Sequence, residues 1–121
     1  MGKKILIIDD SSQDRKIMAR FLAAAGYDEI ITAATGEEGV AKAASDKPDL
    51  VITDTMMPGI NGFEVTRQIR AAAGASGPKI LVVTGAIDAV DALKAKKMGA
   101  DDYCAKTSDC APILEAVKKL L

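Results

Sequence analysis

The chain has 121 residues, 49% of them hydrophobic, with a formal net charge of -1 and no histidine. That length suits a single domain, residues 1–121, able to bury a core without metal or disulfide support. Near-neutral charge and 3% aromatic content exclude a basic or base-stacking nucleic-acid surface. The missing histidine excludes histidine acid–base catalysis, the usual zinc sites and a phosphohistidine role.

The apolar runs fall well short of the about 20 residues that a membrane span needs. No basic stretch precedes a long apolar segment, so neither a membrane anchor nor a signal peptide is expected. Cys104 and Cys110 fit no C-x-x-C or zinc spacing. The expectation is reduced thiols in a cytoplasmic protein.

In chain order, Ile5 to Ile8 is continuously apolar, as a strand buried on both faces is, and Asp9 and Asp10 end it. Ser11 and Ser12 are caps for a first helix. Its apolar face is Ile17, Phe21 and Ala25 with Met18 and Leu22, and Gly26 stops it. Glu29 to Ala34 reads as a short edge strand. Thr35-Gly-Glu-Glu38 is a capping box for a second helix, with Val40 and Ala44 expected to face inward. Leu50 to Thr53 is a second buried strand, closed by Asp54 and followed by the loop Thr55 to Gly62. Phe63, Val65 and Ile69 mark a third helix, whose apolar stripe ends at Ala72.

Gly74 to Pro78 links it to the strand Ile80 to Val83, after which stand Thr84 and Gly85. Val90, Leu93 and Met98 lie on a fourth helix, closed by Gly99. Asp102 to Ala105 is a fifth strand, followed by Lys106. Asp109 to Leu121 is expected to be the last helix, with Ile113 and Val117 on its core side. Pro112 is tolerated there because first-turn amides lack helical partners.

Five strand-then-helix units with right-handed crossovers give a doubly wound α/β fold, helices on both faces of a parallel sheet. Such a sheet gathers ligands beyond the carboxyl ends of its strands. Asp9, Asp10, Asp54, Thr84 and Lys106 all stand at those ends. Paired acids alone fit a solvated helix start, and a lone threonine or lysine fits an ordinary strand end. The conjunction reads differently. Three carboxylates in one small volume repel unless a cation joins them. Oxygen-only ligands suit Mg²⁺, with Asp10 and Asp54 as direct ligands and Asp9 acting through water. Mn²⁺ shares that preference for oxygen donors. A phosphoryl group on Asp54 would then have the cation, the Lys106 ammonium and the Thr84 hydroxyl around it. Gly59 and Gly62 read as turn formers, because the chain has no G-x-x-x-x-G-K-[ST] motif.

These residues resemble the receiver domain of two-component response regulators, the CheY-like family. The resemblance is carried by Asp9-Asp10, the stretch Asp54-Thr-Met-Met-Pro-Gly-Ile-Asn-Gly62, Thr84-Gly85, Gly99-Ala-Asp-Asp-Tyr103 and Lys106, and covers the whole chain. It implies a flavodoxin-like three-layer sandwich with strand order 2-1-3-4-5. It implies that Asp54 accepts a phosphoryl group from a sensor histidine kinase or a histidine phosphotransfer protein. It further implies that Asp9, Asp10, Asp54 and the carbonyl of Met56 hold the metal, and that Thr84 and Tyr103 form a switch pair. A downstream protein would meet the face of the fourth helix, fifth strand and fifth helix. The unphosphorylated protein would be a monomer.

Two features depart from the pattern. Thr107 and Ser108 stand where the family has proline, often after a cis bond, and then an apolar residue. A cis bond before threonine costs about 2.5–4 kcal/mol, so this loop is either trans or strained. The fourth helix carries Lys94, Lys96 and Lys97, a face for water or for an acidic partner.

Two other functions compete. A Mg²⁺-dependent phosphatase of small phosphomonoesters would use Asp54 as a turnover nucleophile, yet Met56 occupies the place of its second acid. A phosphorylation-independent interaction domain would be expected to have lost an acid or the lysine, and none is lost.

Overall fold

The computed structural model describes residues 3–121. Strands β1 (Lys4–Ile8), β2 (Glu29–Ala33), β3 (Leu50–Asp54), β4 (Lys79–Thr84) and β5 (Asp102–Ala105) alternate with helices α1 (Ser12–Ala24), α2 (Gly36–Asp46), α3 (Gly62–Ala73), α4 (Ala89–Met98) and α5 (Ala111–Leu120). The strands form one parallel sheet in the order β2-β1-β3-β4-β5, as the resemblance implied.

Alternation along the apolar strands divides the core into two. Ile5, Ile7, Leu50, Ile52, Leu81 and Val83 turn to one face, where they meet Met18 and Leu22 of α1 and Ile113 and Val117 of α5. Leu6, Ile8, Val51, Ile80 and Val82 turn to the other, against Ala43, Phe63, Val65, Ile69 and Ala95. The register fixes the functional edge. Ile8 lies beside Thr53, Asp54 beside Val83, and Thr84 beside Ala105. The residues that end β1, β3, β4 and β5 therefore share one rim.

Local chemistry sets the helix ends. Ser11 caps α1, its hydroxyl accepting from the Asp14 amide at 3.1 Å. Thr35 caps α2 by accepting from the Glu38 amide at 3.1 Å, while the Glu38 carboxylate reaches one residue further back, to the Ala34 amide at 2.9 Å. That backbone hydrogen bond, with Lys42 alongside, lowers the Glu38 carboxyl below its ordinary range. Asn61 caps α3 through the Glu64 amide at 3.0 Å.

Several expectations are corrected. Ala25 is the exposed C-cap of α1 and contributes nothing to its apolar face. In α2 it is Ala43 that is buried, while Ala44 faces water, because helical rotation carries the next residue off the face. Ala72 is exposed, and Ile69 is the last buried residue of α3. β2 ends at Ala33, and α5 begins at Ala111, two residues after Asp109. The delay has a cause: Cys110 takes a left-handed conformation with φ of 55° and makes no side-chain cap. Asp109 supplies the cap instead, accepting from the Ala111 amide at 3.1 Å and the Thr107 hydroxyl at 2.8 Å. Those two hydrogen bonds hold the Asp109 carboxyl below its ordinary range.

Candidate functional site

β1 delivers Asp9 into a fully enclosed position, 0% exposed, which only complete hydrogen bonding makes tolerable. One carboxylate oxygen accepts from the Ser11 amide at 2.9 Å and the other from Lys106 Nζ at 2.7 Å. The Asp9 carbonyl accepts from the Arg15 guanidinium at 2.7 Å. Asp10, next along, stands exposed at the rim. β3 delivers Asp54, whose side chain is 13% exposed; its Oδ1 accepts from the Thr55 amide at 2.9 Å. Asp9, Asp10 and Asp54 each offer a carboxylate oxygen, and the three atoms lie within 4.8 Å of one another.

Lys106, brought by β5, is the cation among these acids. Its Nζ lies 2.7 Å from Asp9, 3.0 Å from Asp14 and 3.4 Å from Asp54. Burial alone would lower the Lys106 ammonium, but its hydrogen bonds to Asp9 and Asp14 and the charge of Asp54 outweigh burial and hold it above its ordinary value. Burial pushes the Asp54 carboxyl up; Lys106 pulls the other way, and Asp9 adds to the rise. The strand ends thus concentrate more negative charge than one ammonium balances, and only oxygen donors face the gap. Those donors fit a hard divalent cation such as Mg²⁺. Both oxygens of Asp9 already accept hydrogen bonds, which leaves Asp10 and Asp54 the less committed carboxylates of the three.

Thr84 is buried at the end of β4, but its hydroxyl is turned into its own loop, donating to the Ala86 carbonyl at 3.1 Å and accepting from the Ala86 amide at 3.2 Å. Tyr103 lies half-buried on β5, and its hydroxyl accepts from the Asp88 amide at 3.4 Å, at the N-cap of α4. The two hydroxyls are therefore bonded to the β4–α4 loop and not to Asp54. The Met56 side chain is 79% exposed, which leaves only its backbone as a contribution to the site. Among the described residues no peptide bond is cis, so the Lys106–Thr107 bond is trans. Lys94 lies over the Phe63 ring at 4.7 Å, while Lys96 and Lys97 face water. Burial pushes the Cys104 thiol up to about 12, as a packing residue requires.

Three roles at the site were not read from the sequence. Asp14 binds Lys106 from the first turn of α1, where an acid looks like ordinary helix chemistry; its spacing of one turn from Asp10 was the available signal. Arg15 is tied to the Asp9 carbonyl. Gly62 does more than turn the chain. A Cβ there would overlap the carbonyl oxygen of Asp54, so only glycine lets α3 start this close to the acceptor strand. Gly59, with φ of 79°, is the turn former expected.

A family model described as the response regulator receiver domain matches residues 5–118. The protein PilH of Pseudomonas aeruginosa is 36% identical over 118 residues, covering 98% of this chain and 97% of PilH. The alkaline phosphatase synthesis transcriptional regulatory protein PhoP of Bacillus subtilis is also 36% identical, over 121 residues, but this chain spans only 49% of it. Among solved structures, the chemotaxis protein CheY4 of Vibrio cholerae superposes with a TM-score of 0.91 at 30% identity, covering 100% of both chains. The response regulator TrrA of Thermotoga maritima, in complex with Mg²⁺ and BeF, superposes with a TM-score of 0.87 at 39% identity over 98% of this chain and 99% of that one. A match of this extent, on a sheet whose strand ends carry the acids, threonine and lysine described above, means that the chain belongs to the response regulator receiver domain family and is a two-component phosphoacceptor switch.

Proposed function

We propose that Asp54 is the phosphoacceptor, that Asp9, Asp10, Asp54 and the Met56 carbonyl hold Mg²⁺, and that Lys106 and Thr84 receive the phosphoryl oxygens. The observation that carries this reading is the convergence of three carboxylates and one ammonium, from three strand ends, at a single rim. Mg²⁺, and Mn²⁺ in its place, supplies the positive charge that this rim lacks. Everything else falls to the chain. Asp54 presents one oxygen to phosphorus while its Oδ1 is held by the Thr55 amide. As the new O–P bond forms, the P–N bond to the partner's phosphohistidine breaks, and the ring, which carries its proton on the other nitrogen, leaves as neutral imidazole. Lys106 neutralises charge gathering on the transferred group, and positioning does most of the catalytic work. The only turnover is phosphorylation and dephosphorylation of Asp54 itself, within residues 1–121.

The donor is a sensor histidine kinase or histidine phosphotransfer protein, docking over the start of α1, where Ser12, Gln13 and Lys16 are exposed. Arg15 lies beside them. Its bond to the Asp9 carbonyl gives it a structural duty, so substituting it would disturb the site as well as the surface. Thr84 and Tyr103 relay the change to the face of α4, β5 and α5. There Ile87, Val90 and Leu93 are 60%, 72% and 65% exposed, a surface suited to a downstream protein. No described helix is long and apolar enough to cross a membrane. A cytoplasmic monomer is the state that fits this role before phosphorylation.

The test is incubation with acetyl phosphate and Mg²⁺, read by intact mass. The wild type gains one phosphoryl group and Asp54→Asn gains none. An adduct at wild-type yield in Asp54→Asn sinks the assignment.

A further inference from the structure

Lys106 holds three ammonium hydrogens. One is given to Asp9, which is fully buried and cannot release it without leaving a buried charge unpaired. A second goes to Asp14 Oδ2 at 3.0 Å, a carboxylate that projects from α1 and is 37% exposed. Asp54 Oδ2, at 3.4 Å, is the most distant of the three acids. Asp14 thus draws the lysine away from the acceptor and adds a further negative charge beside it. It also has somewhere to go. A cleft of about 290 Å³ is lined by Asp14, Ile17, Met18, Lys106, Ser108 and Cys110, and not by Asp54. Thr107 lines that cleft as well, and neither Thr107 nor Ser108 hydrogen-bonds the ammonium.

We infer that Asp14 is a positioning residue that holds Lys106 in reserve and thereby restrains phosphoryl capture at Asp54. A dianionic group arriving on Asp54 finds only the third ammonium hydrogen uncommitted, on a lysine held toward Asp14, and must tolerate the Asp14 charge. Water screens a partly exposed carboxylate, so the restraint is partial and weakens with salt. The role belongs to Asp14 and not to Asp9, because the Asp9 pair is buried and the Asp14 pair is not. The inference rests on the reading of Asp54 as the acceptor.

The test titrates beryllofluoride, a phosphoryl mimic, into the full chain at saturating Mg²⁺, with binding read by fluorine NMR. Asp14→Asn keeps an acceptor for Lys106 and removes the charge. It is expected to bind about three- to tenfold more tightly than wild type, the effect of one like charge at a partly exposed site. Asp14→Ser removes the charge by a different side chain and should move the same way, which keeps the test alive if one variant folds poorly. Asp14→Glu should stay near wild type. The ratio between Asp14→Asn and wild type should shrink in high salt. Equal or weaker binding by both uncharged variants, or an Asp14→Glu that behaves like them, overturns the inference while leaving Asp54 as acceptor. Failure of the wild type to bind beryllofluoride overturns both.

Discussion

Two stretches of one sheet edge are built on opposite principles. At the ends of β1 and β3 the charged groups are held: Asp9 is enclosed, both its oxygens and its carbonyl are in hydrogen bonds, and Lys106 ties it to α1. Past the end of β4, in the loop leading to α4, little is held. The Thr84 hydroxyl bonds only to its own loop, Tyr103 reaches Asp88 across 3.4 Å, and α4 buries Ala95 while exposing Val90 and Leu93. The first region is rigid and short of positive charge. The second is weakly packed, and weakly packed elements open at the lowest cost. A ligand that supplies charge at the first therefore finds, one strand away, the element that can change its arrangement. Such a division gives a two-state device its input and its moving part.

The contrast breaks most visibly at Lys106. Lys106→Met leaves the buried Asp9 without its cation. In metal-free buffer it should cost about 2–3 kcal/mol, below the roughly 3–5 of a fully buried pair because Lys106 keeps some solvent. Phosphorylation by acetyl phosphate should slow about a hundredfold, the typical loss of one donor facing developing charge. Urea unfolding and the rate of mass gain measure the two effects. An unaltered unfolding midpoint would mean that the acid cluster is not held by this lysine. Next in size is Gly62→Ala. Its methyl would strike the Asp54 carbonyl, and overpacking of this kind costs about 1–3 kcal/mol. Thermal unfolding checks it, and a neutral result would show that α3 can retreat from the acceptor strand freely.

Much of this was legible in the chain because its signals are local. Continuous apolar runs ending in acids named the strands, and five strand-helix units left few topologies open. Asp9, Asp10, Asp54 and Lys106 were readable since each sits where a parallel sheet collects its ligands. What escaped depends on relations that spacing does not carry. Asp14 matters through a lysine 92 residues away. The need for glycine at position 62 comes from a carbonyl on another element. The start of α5 slipped because a left-handed cysteine hands its capping duty to Asp109. On α4 the apolar residues Val90 and Leu93 fit a buried stripe by period, yet the helix turns them outward, so hydrophobicity alone does not assign a face.

A smaller effect should appear at Asp54 itself. Burial raises its folded pKa above the ordinary 3.8, so the folded state binds the proton more tightly than the unfolded one. The ionised carboxylate therefore costs stability above the folded pKa. That cost fades as pH falls through it and is gone below the unfolded value. Asp54→Asn removes the cost. At neutral pH without metal it should unfold a few degrees higher than wild type, about 1 kcal/mol at most, because Lys106 already offsets part of the burden. The gap should close on acidification and again when Mg²⁺ stabilises the wild type. A wild type more stable than Asp54→Asn at neutral pH would mean that attraction to Lys106 outweighs burial.

The smallest effect is predicted for the loosely packed region, and it tests the other half of the contrast. Val90→Ser and Leu93→Ser remove side chains that are 72% and 65% exposed. Away from buried contacts such changes stay within about 0.5 kcal/mol. Val82→Ala, on the neighbouring strand and 0% exposed, should cost several times more by the cavity it leaves. Urea unfolding of the three variants gives the comparison directly. A second readout follows the relay. Beryllofluoride with Mg²⁺ should shift amides across residues 84–108 in wild type and in Leu93→Ser alike, since the exposed side chain takes no part in the rearrangement. A Leu93→Ser that loses more than 1 kcal/mol, or loses those shifts, would show that α4 is packed against the domain and that its exposed apolar side chains belong to the switch itself and not to a partner.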